Sequence, residues 1–136
     1  MEQQRPERCA GGGRTGDATE TSLGHRGNPS SLAIWQVLYN AGADVVLNGH
    51  EHQYERFTPQ DPSGAPDPAR GVREFVVGTG GRSQYPFAAI LPTSEAHFKA
   101  VGVLRLTLAP QQYSWTFVPT ADSPVSDSGS GTCHHR

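Results

Sequence analysis

The sequence predicts an α/β fold, and three stretches carry that prediction. Ile34, Trp35 and Leu38 recur at i, i+1 and i+4, the apolar stripe of a helix lying against a core. Gly42 and the short β-branched run Val45-Val46-Leu47 follow, the pattern of a helix that ends and leads into a buried strand. Farther on, Leu104, Leu106 and Leu108 share one face of Val101–Leu108, and Tyr113–Val118 alternates with aromatic residues on one side. Ala109-Pro110-Gln111-Gln112 joins these two runs with turn chemistry, which makes a β-hairpin.

Taken in order, residues 1 to 27 hold no periodic apolar pattern. Gly11-Gly12-Gly13 and the polar run from Asp17 to Ser22 read as a flexible or disordered segment. Asn28-Pro29-Ser30-Ser31 supplies capping side chains and a proline for a helix start, so a helix is expected over 31 to 41. Trp35 and Tyr39 are expected to pack. A strand is expected over 44 to 48. Thr58 to Arg70, with four prolines and one glycine, reads as a loop without chemistry. Arg73 to Val77 has the composition of a second strand and ends in Gly78-Thr79-Gly80-Gly81-Arg82. Those glycines suit a tight turn better than a backbone nest for an anion beside Arg82. Tyr85 to Lys99 reads as irregular because Pro86 and Pro92 interrupt it, and His97 is expected at the surface. From Pro119 onward the chain is rich in Ser, Gly and Asp and reads as a flexible tail, residues 120 to 136.

Composition narrows the function classes. The chain has 136 residues, of which 35% are hydrophobic, and its 16 Gly and 11 Pro make it rich in turns. That suits one small domain or part of a larger one. A formal charge of −2 gives no electrostatic case for nucleic acid or for an anionic membrane surface. No apolar run is long enough to span a bilayer, and Met1-Glu2-Gln3-Gln4 opens a polar stretch without the apolar core of a secretory signal. Cys9 and Cys133 permit one disulfide without arguing for it, and free thiols are expected in a cytosolic chain.

The chemistry concentrates where the first strand ends. Asn48-Gly49-His50-Glu51-His52-Gln53-Tyr54-Glu55-Arg56 places two histidines two residues apart just past a glycine. If the backbone stays extended there, both imidazoles project to the same side, at the carboxyl end of a strand where ligands gather on α/β sheets.

The string from Gly49 to Arg56 resembles the last sequence block of the metallophosphoesterases, most closely their purple-acid-phosphatase-like branch, and the resemblance runs from about Asn28 onward. It implies the C-terminal part of an αββα sandwich spanning residues 28 to 119, with an incomplete fold. It also implies a dinuclear centre of iron, zinc or manganese that hydrolyses a phosphate ester, with His50 and His52 each binding one metal. Tyr54, Glu55 and Arg56 match the string in packing or supporting positions. Relatives are often exported, so the compartment stays open.

Departures from the family pattern set the expectation for activity. Gly16-Asp17 lacks the histidine two residues on, Gly27-Asn28 is followed by Pro29, and His25 stands in an unmatched context. None of these is carried over as a ligand. Two neutral imidazoles cannot balance two metal cations, so the chain is expected to be inactive alone and to need a missing N-terminal half. The alternatives are a non-catalytic remnant or binding module with a weak His-x-His metal site, and two histidines that only pack. Cys133-His134-His135 offers adventitious ligands on a mobile frame.

Overall fold

A computed structural model describes residues 11–13 and 32–134. The elements are β1 (Gly11–Gly13), α1 (Leu32–Asn40), β2 (Val45–Asn48), β3 (Tyr54–Phe57), β4 (Arg73–Val77), β5 (Ser94–Phe98), β6 (Gly102–Leu108), β7 (Gln112–Pro119) and β8 (Ser128–Thr132). Five strands form one sheet in the order β1-β2-β4-β3-β5, and β6-β7-β8 form a second. β2 runs parallel to both β1 and β4, and the remaining pairs are antiparallel. This is the expected α/β architecture of one helix, a buried strand, further strands and a hairpin.

Helix α1 ends as its sequence dictates. Gly42 adopts φ 68° and donates to the Tyr39 carbonyl at 3.0 Å, while Ala43 donates to Leu38 at 2.9 Å. That pair of bonds is the Schellman closure, which a residue with a Cβ would strain. The helix lays Trp35 on Ala43, Val46 and Val72, covering one face of the first sheet. Tyr39 packs beside them and donates its hydroxyl to Asp67 at 2.7 Å, so both aromatic residues have the packing role expected.

Register sorts the first sheet into two faces. Leu47 and Arg56 both pair with Phe75, and Tyr54 pairs with Val77, so these side chains share a face. That face meets Tyr113, Trp115 and Phe117 of the second sheet to form the main core. Tyr54 stacks on Phe98 at 4.6 Å, and Phe75 meets Trp115 edge-on at 5.4 Å. The opposite face carries Val46, Asn48, Glu74 and Glu55, with α1 above Val46.

Four elements differ from the sequence expectation. Gly11–Gly13, expected to be flexible, pairs with Val45 to Leu47 as β1, its place set by backbone bonds alone; the rest of residues 1 to 27 that bears on that expectation lies outside the described residues. Tyr54–Phe57, read only as a motif, is a strand. Ser94–Phe98 is also a strand, because the prolines that interrupt its sequence neighbourhood lie before it. Finally, Ser128–Thr132 in the expected tail pairs with β7. Its glycines are seats for aromatic rings: a Cβ on Gly129 would come within 2.5 Å of Trp115, and one on Gly131 within 2.3 Å of Tyr113.

Asp127 secures that last strand. Its carboxylate accepts hydrogen bonds from Tyr54 Oη at 2.7 Å and from Trp115 Nε1 at 3.0 Å. It also takes a two-pronged contact from Arg56, Nε at 2.8 Å and Nη2 at 3.1 Å. Cys133, just beyond β8, is buried and disulfide-bonded, which corrects the expectation of a free thiol. Cys9, the other cysteine of the sequence, lies outside the described residues.

Candidate functional site

Parallel strand β2 ends at Asn48, and the loop 49–53 carries His50 and His52 from its carboxyl end to β3. The backbone does not stay extended. Glu51 donates to the Gly49 carbonyl at 3.0 Å and Gln53 to that of Glu51 at 2.8 Å, two successive tight turns. His50 sits at φ 76°, in the left-handed region, where a residue with a Cβ is strained by about 1 kcal/mol or more. The strict alternation that would align the two rings is therefore absent. Tight turns place both histidines on the loop instead, His50 exposed and His52 half-buried.

Two backbone features hold the loop down. Gly78, at the end of β4, donates to the Gln53 carbonyl at 3.1 Å. A Cβ there would lie 1.7 Å from the Glu51 carbonyl oxygen, so only glycine permits the approach. Thr79 is buried and donates to Gly102 O at 2.8 Å, and Gly102 donates back at 3.0 Å. The Gly-Thr-Gly-Gly stretch thus ties the loop to the second sheet, and Arg82 beyond it is exposed.

The stretch from Ser83 to Tyr85 crosses over the loop. His52 Nδ1 lies 2.8 Å from the Ser83 carbonyl oxygen. A carbonyl only accepts, so Nδ1 carries the proton, and in the neutral ring Nε2 is the acceptor atom. Tyr85 accepts from the His52 backbone N–H at 3.2 Å, donates to Glu51 Oε2 at 2.6 Å, and sets its ring 5.4 Å from that of His52. Burial, then the bond to Glu51, pushes the Tyr85 hydroxyl up to about 12, so it keeps its proton at neutral pH. Sequence reading missed this segment.

Three glutamates, one in the loop and one in each of β3 and β4, are buried. Glu51, Glu55 and Glu74 are each 2% exposed or less. Asn48 Nδ2 donates to Glu74 Oε1 at 2.6 Å. Burial raises Glu55 to about 7; a hydrogen bond from Ser94 opposes the rise and the charge of Glu51 adds to it. His97 pairs with Glu55 across the strands yet is exposed, its ring 5.4 Å from Phe87. His134 is tied to Asp44, which accepts from its backbone N–H at 2.6 Å.

No family model matches the sequence, and no curated protein does. Solved structures match over most of it. The anchor GAP50 of the inner membrane complex of Plasmodium superposes with a TM-score of 0.70 at 19% identity, over 88% of this chain and 36% of that one. The purple acid phosphatase PPD1 from yellow lupin (Lupinus luteus) seeds gives 0.64 at 22% identity, over 90% of this chain and 24% of that one. The chain has part of a metallophosphoesterase-like fold. It spans roughly a third and a quarter of those two proteins.

The metal expectation can be weighed against the donor chemistry. A histidine that spends Nδ1–H on a carbonyl and presents Nε2 has the arrangement common to metal-bound imidazoles. His52 fits a metal in that respect, and the exposed His50 is two residues away. Among the described residues, no group of three or more His, Cys, Asp or Glu is placed to hold a metal ion. Among these residues, no helix is long and apolar enough to cross a membrane.

Proposed function

We propose that this chain carries the histidine loop of a metal-dependent phosphoric ester hydrolase of the purple-acid-phosphatase-like kind, with His50 and His52 as its metal ligands. The observation that carries the reading is His52 at the carboxyl end of a parallel strand, its Nδ1 proton committed to Ser83 O and the Nε2 lone pair left for a metal. The fold shared with the lupin phosphatase supports it. When bound, a metal pair of this kind clamps the phosphate and activates a water; iron, zinc and manganese all suit imidazole. The carboxylates needed to balance such a pair would come from outside the described residues, from other polypeptide or from an N-terminal half.

A second reading is a non-catalytic module with a weak metal site. The lack of any three-residue metal group among the described residues favours it, and so does the likeness to a protein described as an anchor.

Calorimetric titration with zinc and manganese tests the metal site common to both readings. Weak binding, micromolar or above, is expected, and His50→Ala and His52→Ala should each abolish it; binding indifferent to both substitutions contradicts the assignment. The isolated chain should not hydrolyse p-nitrophenyl phosphate with any of the three metals. Hydrolysis that appears when a carboxylate-bearing upstream segment is added in trans supports the first reading. Metal binding without turnover after such addition supports the second.

A further inference from the structure

We infer that Tyr85 is a positioning residue for His52, and that the stretch Ser83–Tyr85 works as a strap that selects which ring nitrogen this histidine presents. The inference deepens the proposed function and rests on His52 being a ligand there.

Four contacts run from one short stretch to His52 and its neighbour Glu51. The Ser83 carbonyl takes the Nδ1 proton at 2.8 Å. The Tyr85 hydroxyl takes the His52 backbone N–H at 3.2 Å and gives its own proton to Glu51 at 2.6 Å. The Tyr85 ring lies 5.4 Å from the imidazole, tilted by 44°. The first contact fixes the tautomer, the two hydroxyl bonds fix the backbone from which the ring hangs, and the Tyr85 ring packs against the imidazole. Glu51 is held in place, because its carbonyl is seated against Gly78 and the residue is 2% exposed. Tyr85 thus bonds to the residues on both sides of the peptide that joins Glu51 to His52.

A free imidazole distributes its proton between the two nitrogens and turns about two side-chain bonds. A metal must then select one tautomer and one rotamer out of several. The strap makes that selection in advance, at the cost of a tyrosine held by a buried carboxylate. Partners of this kind typically change metal affinity by about tenfold to a hundredfold when removed.

Nitrogen-15 NMR of the His52 ring and zinc titration test the strap together. In the unsubstituted chain without metal, at a pH where the ring is neutral, Nδ1 should show the protonated signature and Nε2 the unprotonated one. Tyr85→Phe keeps the ring but removes the hydroxyl. It should move both nitrogens toward averaged signatures and lower zinc affinity about tenfold, with the fold retained by circular dichroism. Glu51→Ala should do the same from the other end of the bond, while Glu51→Gln, which keeps an acceptor oxygen, should largely restore the native pattern. An Nε2-protonated ring in the unsubstituted chain overturns the inference, as does Tyr85→Phe with unchanged nitrogens and affinity. A chain that binds no zinc but shows the Nδ1–H tautomer, lost in Tyr85→Phe, supports the strap and contradicts only the metal assignment.

Discussion

Two carboxylates on opposite faces of the same strand region show how environment decides the sign of a charge effect. Asp127 receives Tyr54, Arg56 and Trp115, and although burial acts to raise its pKa, the hydrogen bonds from Arg56 and Tyr54 leave it lowered from 3.8. Its contribution to stability is present at neutral pH and is lost as the pH falls below about 4. Asp127→Ala leaves Tyr54 and Trp115 without this acceptor and leaves Arg56 with Glu95 as its remaining carboxylate partner. It should destabilise by about 1–3 kcal/mol in urea unfolding. Glu55 behaves in the opposite way. Its folded value near 7 lies above the ordinary 4.5, so the folded state binds the extra proton between those values. Its term therefore favours folding at low pH, declines as the pH rises from 4.5 to 7, and stays lost above that. Glu55→Gln should flatten this decline, and at pH 8 it should unfold at higher urea than the unsubstituted chain.

Elements were legible where side-chain pattern set them. The stripe Ile34, Trp35, Leu38 with Gly42 gave α1, the β-branched run gave β2, and the alternating leucines and aromatics gave β6 and β7. Tyr54-Glu55-Arg56 was matched as part of a motif. Its two-sided work, Tyr54 and Arg56 inward to Asp127 and Glu55 toward the other face, depends on pairing with β4 and β5 that local sequence does not reveal. β8 was illegible for a related reason. Ser-Gly-Ser-Gly-Thr has no apolar alternation of its own, and its pattern is complementary to Tyr113 and Trp115 of its neighbour. Gly129→Val or Gly131→Val should push those rings from their seats and cost about 1–3 kcal/mol. The same change at Ser130, exposed on the other face, should cost far less; urea unfolding of the three variants gives the comparison. In the candidate site, the histidine pair could be read from the sequence. The turns that orient it and the strap over it could not, because His50 takes a positive φ that its residue type does not call for and the strap rests on contacts from Ser83 and Tyr85, far from the loop in sequence.

At the scale of the molecule, the two sheets enclose one aromatic core and present the histidine loop at the end of a parallel strand. Helix α1 covers the first sheet, and the second sheet leaves Val103 and Val118, a cross-strand pair, 63% and 44% exposed. This arrangement is part of a metallophosphoesterase-like fold. The account stands on that loop taking a metal through imidazole nitrogen. X-ray absorption at the zinc edge, on the chain loaded with substoichiometric zinc, tests it most directly. The account predicts imidazole scattering with nitrogen at about 2.0 Å, lost when His50 and His52 are both replaced by alanine. A spectrum unchanged by that double replacement, or one with oxygen ligands alone, would contradict it.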